Sequence, residues 1–519
     1  MAIIGNLLKR GIKLRESLDQ EYSSSYDLQK HELKHLLMHA VGTAFGKEYG
    51  FKEILGTYRS KDPYAFYESF RRKVPIHDYN KMYNEWWHKT LEGKQDVTWP
   101  GRVRYFALSS GTSEAATKHI PITKDMVKAI RKTSLRQILT LGKYDLPPQL
   151  FQKGILMLGG STDLNNKGNY YEGDLSGITA STIPFWFQVF YKPGKKIAKT
   201  RDWSEKLEEI TLKAKDWDIG IIVGVPAWIQ LLMEKIIAHY GVSNIHEIWP
   251  NLSIFVHGGV AFTPYKKGFE KLLGKPINYI ETYLASEGFI AFQAKPNHSS
   301  MRLVLNNNIF YEFVPFEADN LDENGNIRPG APTLMIDQVE EGKEYAILLT
   351  TTAGAWRYVI GDVVRFTDKD QAEIQITGRT KHFLSLCGEH LSVDNMNRAV
   401  AMVSEELDID IKEFTVIGKP DGTLFGHHWY VGTDDKVDAE QLKTRIDQRL
   451  RDLNDDYHTE REHALKGFYL TALPTEAFYQ WMREQGKEGG QNKFPRVISK
   501  EAQRQSWEEV ASRYADKLS

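Results

Sequence analysis

Cysteine is nearly absent from this chain, in which Cys387 is the only one among 519 residues. A single thiol cannot form an intrachain disulfide, and it excludes a metal centre built from several cysteines. A chain without disulfides suits a reducing compartment. We therefore predict a cytoplasmic protein.

Long apolar stretches and an excess of one charge are absent as well. The most apolar run, residues 220–233, is interrupted by Pro226 and is too short to span a bilayer. The N-terminus places its charges after a very short apolar stretch, whereas a signal peptide places them before a longer one. With 67 basic and 68 acidic residues, the net charge of −1 gives no general attraction to nucleic acid. We expect neither a membrane nor a nucleic-acid partner.

The composition that is present, 41% hydrophobic and 26% charged, is typical of a globular protein. The length predicts two or three domains of about 100–200 residues each. Residues 1 to about 75 have a helical pattern, and from residue 103 strands and helices alternate. Short apolar runs predict strands over 154–158, 220–223, 252–256 and 277–280. Such runs between helices are typical of a mainly parallel sheet with both faces covered.

The pattern changes twice more along the chain. Strands dominate from about residue 310 to 376, and beyond Gly378 a smaller α+β pattern has helices predicted over 393–407 and 439–453. We place a domain boundary at residues 378–381. The predicted fold is α/β, with a large N-terminal α/β domain (1–378) of mainly parallel sheets plus a β-rich part, and a smaller C-terminal α+β domain (379–519).

The loop Ser109-Ser110-Gly111-Thr112-Ser113, with Lys118 beyond it, is the first candidate binding site. It lies between a strand predicted over 103–108 and a helix predicted over 123–139, for which Thr123 is the expected N-cap. Its N–H groups and hydroxyls, together with the nearby lysine, are suited to a triphosphate. The usual ATPase pattern G-x-x-x-x-G-K-[ST] is missing, so an ordinary polar turn is the alternative.

Two further candidates follow predicted strands, where ligands of α/β sheets bind. The glycines of His257-Gly258-Gly259 would let a flat base approach the backbone, although a plain strand-to-helix turn has the same composition. In Tyr283-Leu284-Ala285-Ser286-Glu287, Glu287 is suited to Mg²⁺ on phosphate oxygens and Ser286 to a phosphate. The alternative for Glu287 is a solvated surface carboxylate.

The last two candidates lie later in the chain. Asp362, after the predicted strand 356–360, is placed to accept the hydroxyls of a ribose, and an ordinary turn aspartate is the alternative. Lys493 and Arg496 belong to the glycine-rich segment 489–496, which could carry a cation into an active site or be a surface loop.

The order of these motifs resembles the adenylate-forming superfamily, and more narrowly the Gretchen Hagen family of acyl-acid amido synthetases, the auxin-responsive-promoter type. Three features carry the narrower resemblance: Ser109–Ser113 with Lys118 and Pro121, Tyr-x-x-Ser-Glu at 283–287, and Gln491-x-Lys493-x-Pro495-Arg496. The resemblance runs from about residue 100 to residue 497. Ala115 and Val359 depart from the family pattern, but neither occupies a position to which we assign chemistry.

The resemblance implies an enzyme that uses ATP and Mg²⁺, in which the C-terminal domain turns about a hinge at residues 379–381. Lys493, Lys118 and Glu287 are then the catalytic residues, with Glu287 also the metal ligand. The nucleotide site that it implies consists of Ser109, Ser110, Gly111, Thr112, Ser113, Gly259, Thr282, Tyr283, Ser286, Asp362, Arg379 and Lys381. In that site Gly259 and Tyr283 flank the adenine, and Asp362 takes the ribose.

The expected reaction joins a small-molecule carboxylic acid to an amino acid through an acyl-adenylate, and we expect the enzyme to be a monomer. An acyl-CoA ligase with a thiol acceptor shares the first half-reaction and remains the nearest alternative. A catalytically silent ATP-binding protein is an alternative of another class. A zinc hydrolase has little support, because His427 and His428 are adjacent and His-Glu-x-x-His is missing.

Overall fold

The structure is a computed structural model. It describes residues 24–109, 118–183, 187–259, 262–322, 325–380, 383–384, 391–421, 424–454, 457–458, 461, 465–487, 493–498 and 500–515.

From Ser25 to Leu91 the chain is helical, as predicted for the part of this range before about residue 75. Its helices are α1 (Ser25–Ala40), α2 (Ala44–Glu48), α3 (Phe51–Gly56), α4 (Ala65–Lys73), α5 (Tyr79–Met82) and α6 (His88–Leu91), with a π-helical turn over Tyr83–Trp87. Gln29 of α1 joins them to the following sheet, because its side chain bonds the carbonyls of Leu305 and Ile309 and the N–H of Tyr311.

A small sheet follows, with strand order β2-β1-β5-β4. Its strands are β1 (Tyr105–Ser109), β2 (Lys118–Ile122), β4 (Asn165–Asn166) and β5 (Tyr171–Gly173), and helix α7 (Lys124–Thr140) follows β2. The hydroxyl of Thr123 accepts from the N–H of Met126 at 3.0 Å, which confirms the predicted N-cap. One prediction is wrong here: the loop after Ser109 leads into β2, which pairs antiparallel with β1, and not directly into the helix.

The main sheet has eleven strands in the order β12-β13-β14-β15-β11-β10-β9-β8-β7-β3-β6. These strands are β3 (Gly154–Met157), β6 (Tyr191–Lys192), β7 (Ile219–Gly224), β8 (Ile254–Gly258), β9 (Asn278–Ala285), β10 (Gly288–Phe292), β11 (Met301–Leu303), β12 (Ile309–Pro315), β13 (Glu344–Thr351), β14 (Ala355–Asp368) and β15 (Glu373–Arg379). From β6 to β9 the pairing is parallel, and from β9 to β12 it is antiparallel. The predicted parallel and β-rich parts therefore form one sheet, in which the pairing changes from parallel to antiparallel at β9.

Helices cover the parallel half of this sheet. They are α9 (Lys195–Ala198), α10 (Trp203–Lys213), α11 (Pro226–Tyr240) and α12 (Thr263–Lys271), whereas α8 (Leu175–Ser181) packs against β1 of the small sheet. Along the chain, 3₁₀ turns occupy Leu141–Lys143, Pro148–Gln152, Ala214–Asp216, Ile245–Glu247, Ala318–Asn320 and Ile336–Gln338. Phe255 and Phe269 stack in the core beneath α12, with ring centroids 4.6 Å apart. Ile254 and Ile280, on the opposite face, pack against Leu141. Burial of both faces explains why these strands are continuous apolar runs.

The smaller C-terminal domain has a three-stranded sheet in the order β18-β19-β20. Its elements are β16 (Phe383–Leu384), β17 (Leu391–Ser392), α13 (Val393–Leu407), β18 (Ile411–Asp421), β19 (Leu424–Thr433), α14 (Ala439–Leu453), β20 (Leu465–Leu473), α15 (Glu476–Glu484) and α16 (Glu501–Tyr514). Both helices predicted for this domain are confirmed. Across the described residues of the whole chain, no helix has the length and apolar character needed to cross a bilayer.

Candidate active site

At the edge of the sheet where β8 ends, the backbones of β8 and β9 lie unusually close together. A Cβ on Gly258 would lie 2.4 Å from the carbonyl oxygen of Thr282, so the position requires glycine. Gly259, immediately after β8, has φ of +85°, a conformation that side chains disfavour. The hydroxyl of Thr282 donates to the carbonyl of His257 at 3.0 Å, which ties the two strand ends together. These features bring the backbones of β8 and β9 close together at Gly258 and turn the chain at Gly259.

Asp362 is the centre of a charged network beside this edge. One of its carboxylate oxygens forms an ion pair with Nε of Arg379 at 2.8 Å, and the other accepts from the hydroxyl of Tyr283. Asp362 and Arg379 are register partners on β14 and β15, so the sheet itself places them together. Arg379 also donates to the carbonyl of Ile360 at 3.0 Å. Burial, and then the Asp362 carboxylate, raises the pKa of the Tyr283 hydroxyl well above its ordinary value.

Asp362 was expected just after a strand, and that expectation is wrong. It lies inside the fourteen-residue strand β14, next to Gly361, whose φ is +88°. The local turn of the backbone at Gly361 interrupts the regular strand geometry and presents the carboxylate at this edge.

Glu287 lies in the turn between β9 and β10 and is 7% exposed. Burial raises the pKa of its carboxyl group, and the charge of Lys118 opposes that rise. Burial, and then the charge of Glu287, raises the pKa of the Tyr358 hydroxyl well above its ordinary value. Lys118 opens β2, with its Nζ 5.4 Å from the ring centroid of Tyr79. The turn after β9 and the end of the serine-rich loop therefore meet.

Lys493 reaches this site from the C-terminal domain. Its Cε and Nζ would lie 3.4 and 3.6 Å from a Cβ placed on Gly259, so the lysine lies over the strand edge. The side chain still reaches solvent, yet the surrounding protein, and then the guanidinium of Arg379, lower the pKa of its ammonium group to about 8. A cation with this pKa is charged at neutral pH but close to losing its proton.

The structure thus groups most of the predicted site residues at one edge: Lys118, Gly259, Thr282, Tyr283, Ser286, Glu287, Asp362, Arg379 and Lys493. Ser109 closes β1 opposite Lys118. Ser110, Gly111, Thr112, Ser113 and Lys381 lie outside the residues that the structure describes. Which of these groups bind a nucleotide remains a prediction.

Sequence reasoning did not single out two further residues near this site. Tyr358 appeared only as part of a predicted strand, yet the charge of Glu287, after burial, raises the pKa of its hydroxyl, so the two side chains lie near each other. Glu281 lies two positions before Tyr283 on β9, and burial raises its pKa to about 7. Glu281 directly follows the strand predicted over 277–280, and this position at a strand end was the available signal. For Tyr358 the sequence held no signal, because the contact joins β14 to the β9–β10 turn.

Comparison with known families gives matches along most of the chain. The profile "GH3 family N-terminal domain" matches residues 15–208 and 161–277, "GH3 family central domain" matches 302–379, and "GH3 family C-terminal domain" matches 394–502.

The individual relatives share low sequence identity with this chain. "Indole-3-acetic acid-amido synthetase GH3.4" of Arabidopsis thaliana is 28% identical over 229 residues, which are 40% of this chain and 37% of that protein. The chain thus matches less than half the length of this relative. The structure "AtGH3.15 acyl acid amido synthetase in complex with 2,4-DB" superposes with a TM-score of 0.76 at 17% identity, covering 97% of this chain and 96% of that one. A 2-hydroxyisobutyryl-CoA ligase in the postadenylation state with 2-HIB-AMP gives 0.60 at 12% identity, covering 93% and 91%. At such identities these likenesses establish the predicted fold.

Proposed function

Because the chain belongs to the GH3 family, we propose that it is an ATP-dependent acyl-acid amido synthetase. It would convert a carboxylic acid to an acyl-adenylate and pass the acyl group to the amine of an amino acid. The observation that carries the proposal is the position of Lys493, which comes from the C-terminal domain and lies against Gly259 at the strand edge. The carboxylates and cations predicted from sequence surround the same edge.

We assign the adenine to the surface formed by Gly259, Thr282 and Tyr283. The ribose hydroxyls would donate to Asp362, whose carboxylate keeps free lone pairs after bonding Tyr283 and Arg379. Arg379 fixes that carboxylate in place.

The phosphates would lie toward Lys118, with Ser109–Ser113 and Ser286 as donors. Lys118 begins β2 opposite Ser109, so it marks where the serine-rich loop returns to the sheet. Glu287 neighbours Lys118, as the opposing effect of that lysine on its pKa indicates.

Mg²⁺ fits Glu287. Burial raises the pKa of this carboxyl group despite the nearby charge of Lys118, so a bound cation would stabilise its ionised form. Mg²⁺ typically takes one or two carboxylates together with phosphate oxygens. When bound, the ion would offset negative charge on the phosphates. Tyr358 lies near the same carboxylate, as the effect of Glu287 on the pKa of its hydroxyl indicates.

In the first half-reaction the substrate carboxylate attacks the α-phosphorus, and the bond to the pyrophosphate oxygen breaks. Lys493 and Lys118 supply positive charge where negative charge develops. In the second half-reaction, an amino group attacks the acyl carbon and the bond from that carbon to the AMP oxygen breaks. The attacking amine loses a proton in this step.

We propose that the C-terminal domain turns between these steps. Its boundary would lie at residues 378/379 with the hinge at 379–381, which is supported by the family profiles, whose central match ends at 379 and whose C-terminal match begins at 394. Lys493 contacts Gly259 only through the packing of one domain on the other, so a turn would withdraw it from the nucleotide.

ATP–pyrophosphate exchange across a panel of carboxylic acids tests the proposal, with Lys493→Ala as the matched control. We expect exchange with at least one acid and a large loss in the variant. No exchange with any acid, in protein that binds ATP, would favour a silent ATP-binding protein. An acid that supports exchange also provides the substrate for distinguishing an amine from a CoA acceptor.

A further inference from the structure

Tyr265 of helix α12 connects the two domains through its hydroxyl. The hydroxyl donates to Oε1 of Glu413 at 3.0 Å and accepts from a guanidinium nitrogen of Arg496 at 3.2 Å. Glu413 lies on β18 and Arg496 follows Lys493 by three residues, so both partners belong to the C-terminal domain. One neutral group of the large domain therefore bridges an ion pair of the small one.

This contact is buried. Tyr265 is 2% exposed and Glu413 is 5% exposed. Arg496 forms an ion pair with the second oxygen of Glu413, donates to the carbonyl of Phe414 at 3.0 Å, and lies 4.4 Å from the centroid of the Phe414 ring. Hydrogen bonds to charged groups are worth more than neutral ones, particularly away from water.

The segment that carries Lys493 is rigidly attached to the C-terminal domain. Val416 donates to the carbonyl of Arg496 at 2.9 Å, and Ile498 donates to the carbonyl of Val416 at 3.0 Å, so the segment lies alongside β18. Phe494 is buried against Phe478, Trp481 and Trp507, with ring centroids 4.8 to 5.0 Å away. Any group that fixes Arg496 against the large domain also fixes where Lys493 lies.

We propose that Tyr265 is a positioning residue for adenylation, which holds the C-terminal domain in the orientation that places Lys493 against Gly259. The inference rests on the proposed function. Glu413 and Arg496 move together when their domain turns, and Tyr265 stays behind on α12. The two hydrogen bonds of the Tyr265 hydroxyl are therefore made in the adenylation orientation and are lost after the turn.

Two interdomain ion pairs lie elsewhere on this interface. Lys267 and Asp408 lie 2.6 Å apart, but the Asp408 side chain is 94% exposed. Lys412 pairs with Glu234 at 3.1 Å, and their side chains are 16% and 35% exposed. Exposed ion pairs contribute little because water and salt screen them. Asp408→Asn therefore removes the charge of the more exposed pair, should have a small effect, and is a matched control.

Tyr265→Phe tests the proposal, because it removes only the hydroxyl and leaves the Glu413–Arg496 pair intact. We expect ATP–pyrophosphate exchange to fall by about tenfold, while consumption of a chemically prepared acyl-adenylate with an amino acid stays within about twofold of wild type. Asp408→Asn should change neither half-reaction by more than about twofold. A purely structural defect would lower both half-reactions alike, so equal loss overturns the proposal, as does unchanged exchange.

Hydrogen–deuterium exchange of the full chain without substrates separates this proposal from the proposed function. Tyr265→Phe should accelerate amide exchange over 263–271 and 411–416, and Asp408→Asn should not. If no acid supports pyrophosphate exchange in the wild type, the proposed function fails while this measurement still decides the role of Tyr265. Identical protection of both segments in wild type and Tyr265→Phe would overturn the proposed role of Tyr265.

Discussion

Raising the pH above 8 should slow adenylation by removing the proton of Lys493. The surrounding protein, and then Arg379, lower the pKa of this ammonium group to about 8, from an ordinary value of 10.5. Between pH 7 and pH 9 the charged fraction of a group with that pKa falls about tenfold, whereas a lysine with the ordinary value stays almost fully charged. The kcat/KM for ATP reports ionisations of the free enzyme, so it should fall by about tenfold over this range.

The assay is pyrophosphate exchange between about pH 6.5 and about pH 9.5, compared with acyl transfer from a prepared acyl-adenylate. Lys493→Arg is the control, because a guanidinium keeps its charge throughout this range. Its residual exchange should lack the alkaline decline. Glu281→Gln should retain that decline, which separates the titration of Lys493 from that of the Glu281 carboxyl group, whose pKa burial raises to about 7. A flat wild-type profile, or the same decline in Lys493→Arg, would refute the reasoning.

Three further substitutions follow from the site and the core. Lys118→Ala should reduce pyrophosphate exchange by about tenfold to a hundredfold, since a cation beside the phosphates is lost; wild-type exchange in the folded variant would exclude this loop as the phosphate site. Glu287→Gln should raise the Mg²⁺ concentration needed for half-maximal exchange, and a titration that matches wild type would remove Glu287 as the metal ligand. Arg357→Met should cost about 3–5 kcal/mol of unfolding free energy in urea titrations, because Glu312, 2.8 Å away and 1% exposed, would be left as an unpaired buried charge; a loss below about 1 kcal/mol would contradict that reading.

The helices were largely predictable because their signals are local. Thr123 caps α7 as expected, and α13 and α14 begin and end at the predicted residues. Apolar periodicity and capping side chains act within a few residues of each other, so the sequence alone reveals them.

Strand β2 was missed for the opposite reason. It has five residues, includes Pro121, and forms the edge of its sheet, where a proline is tolerated. Its existence depends on pairing with β1. The sequence of so short a segment does not reveal which strand it pairs with. The bend at Gly361 that leaves Asp362 inside β14 is likewise set by pairing with β15.

The residue types of the site could be predicted from the order of its motifs, but several contacts could not. Tyr358 reaches Glu287 from a strand distant in sequence, and Tyr265 meets Glu413 across the domain interface. The sequence neighbours of the two tyrosines give no indication of these partners, which are fixed only by the tertiary fold.

The identity of the acceptor tests the proposed function most directly. An acid that supports pyrophosphate exchange is incubated with enzyme, Mg·ATP, the standard amino acids and CoA, and the products are identified by mass spectrometry. We predict an acyl–amino acid amide formed together with an equal amount of AMP. A CoA thioester, with no amide from any amino acid, would contradict the assignment and identify the protein as an acyl-CoA ligase.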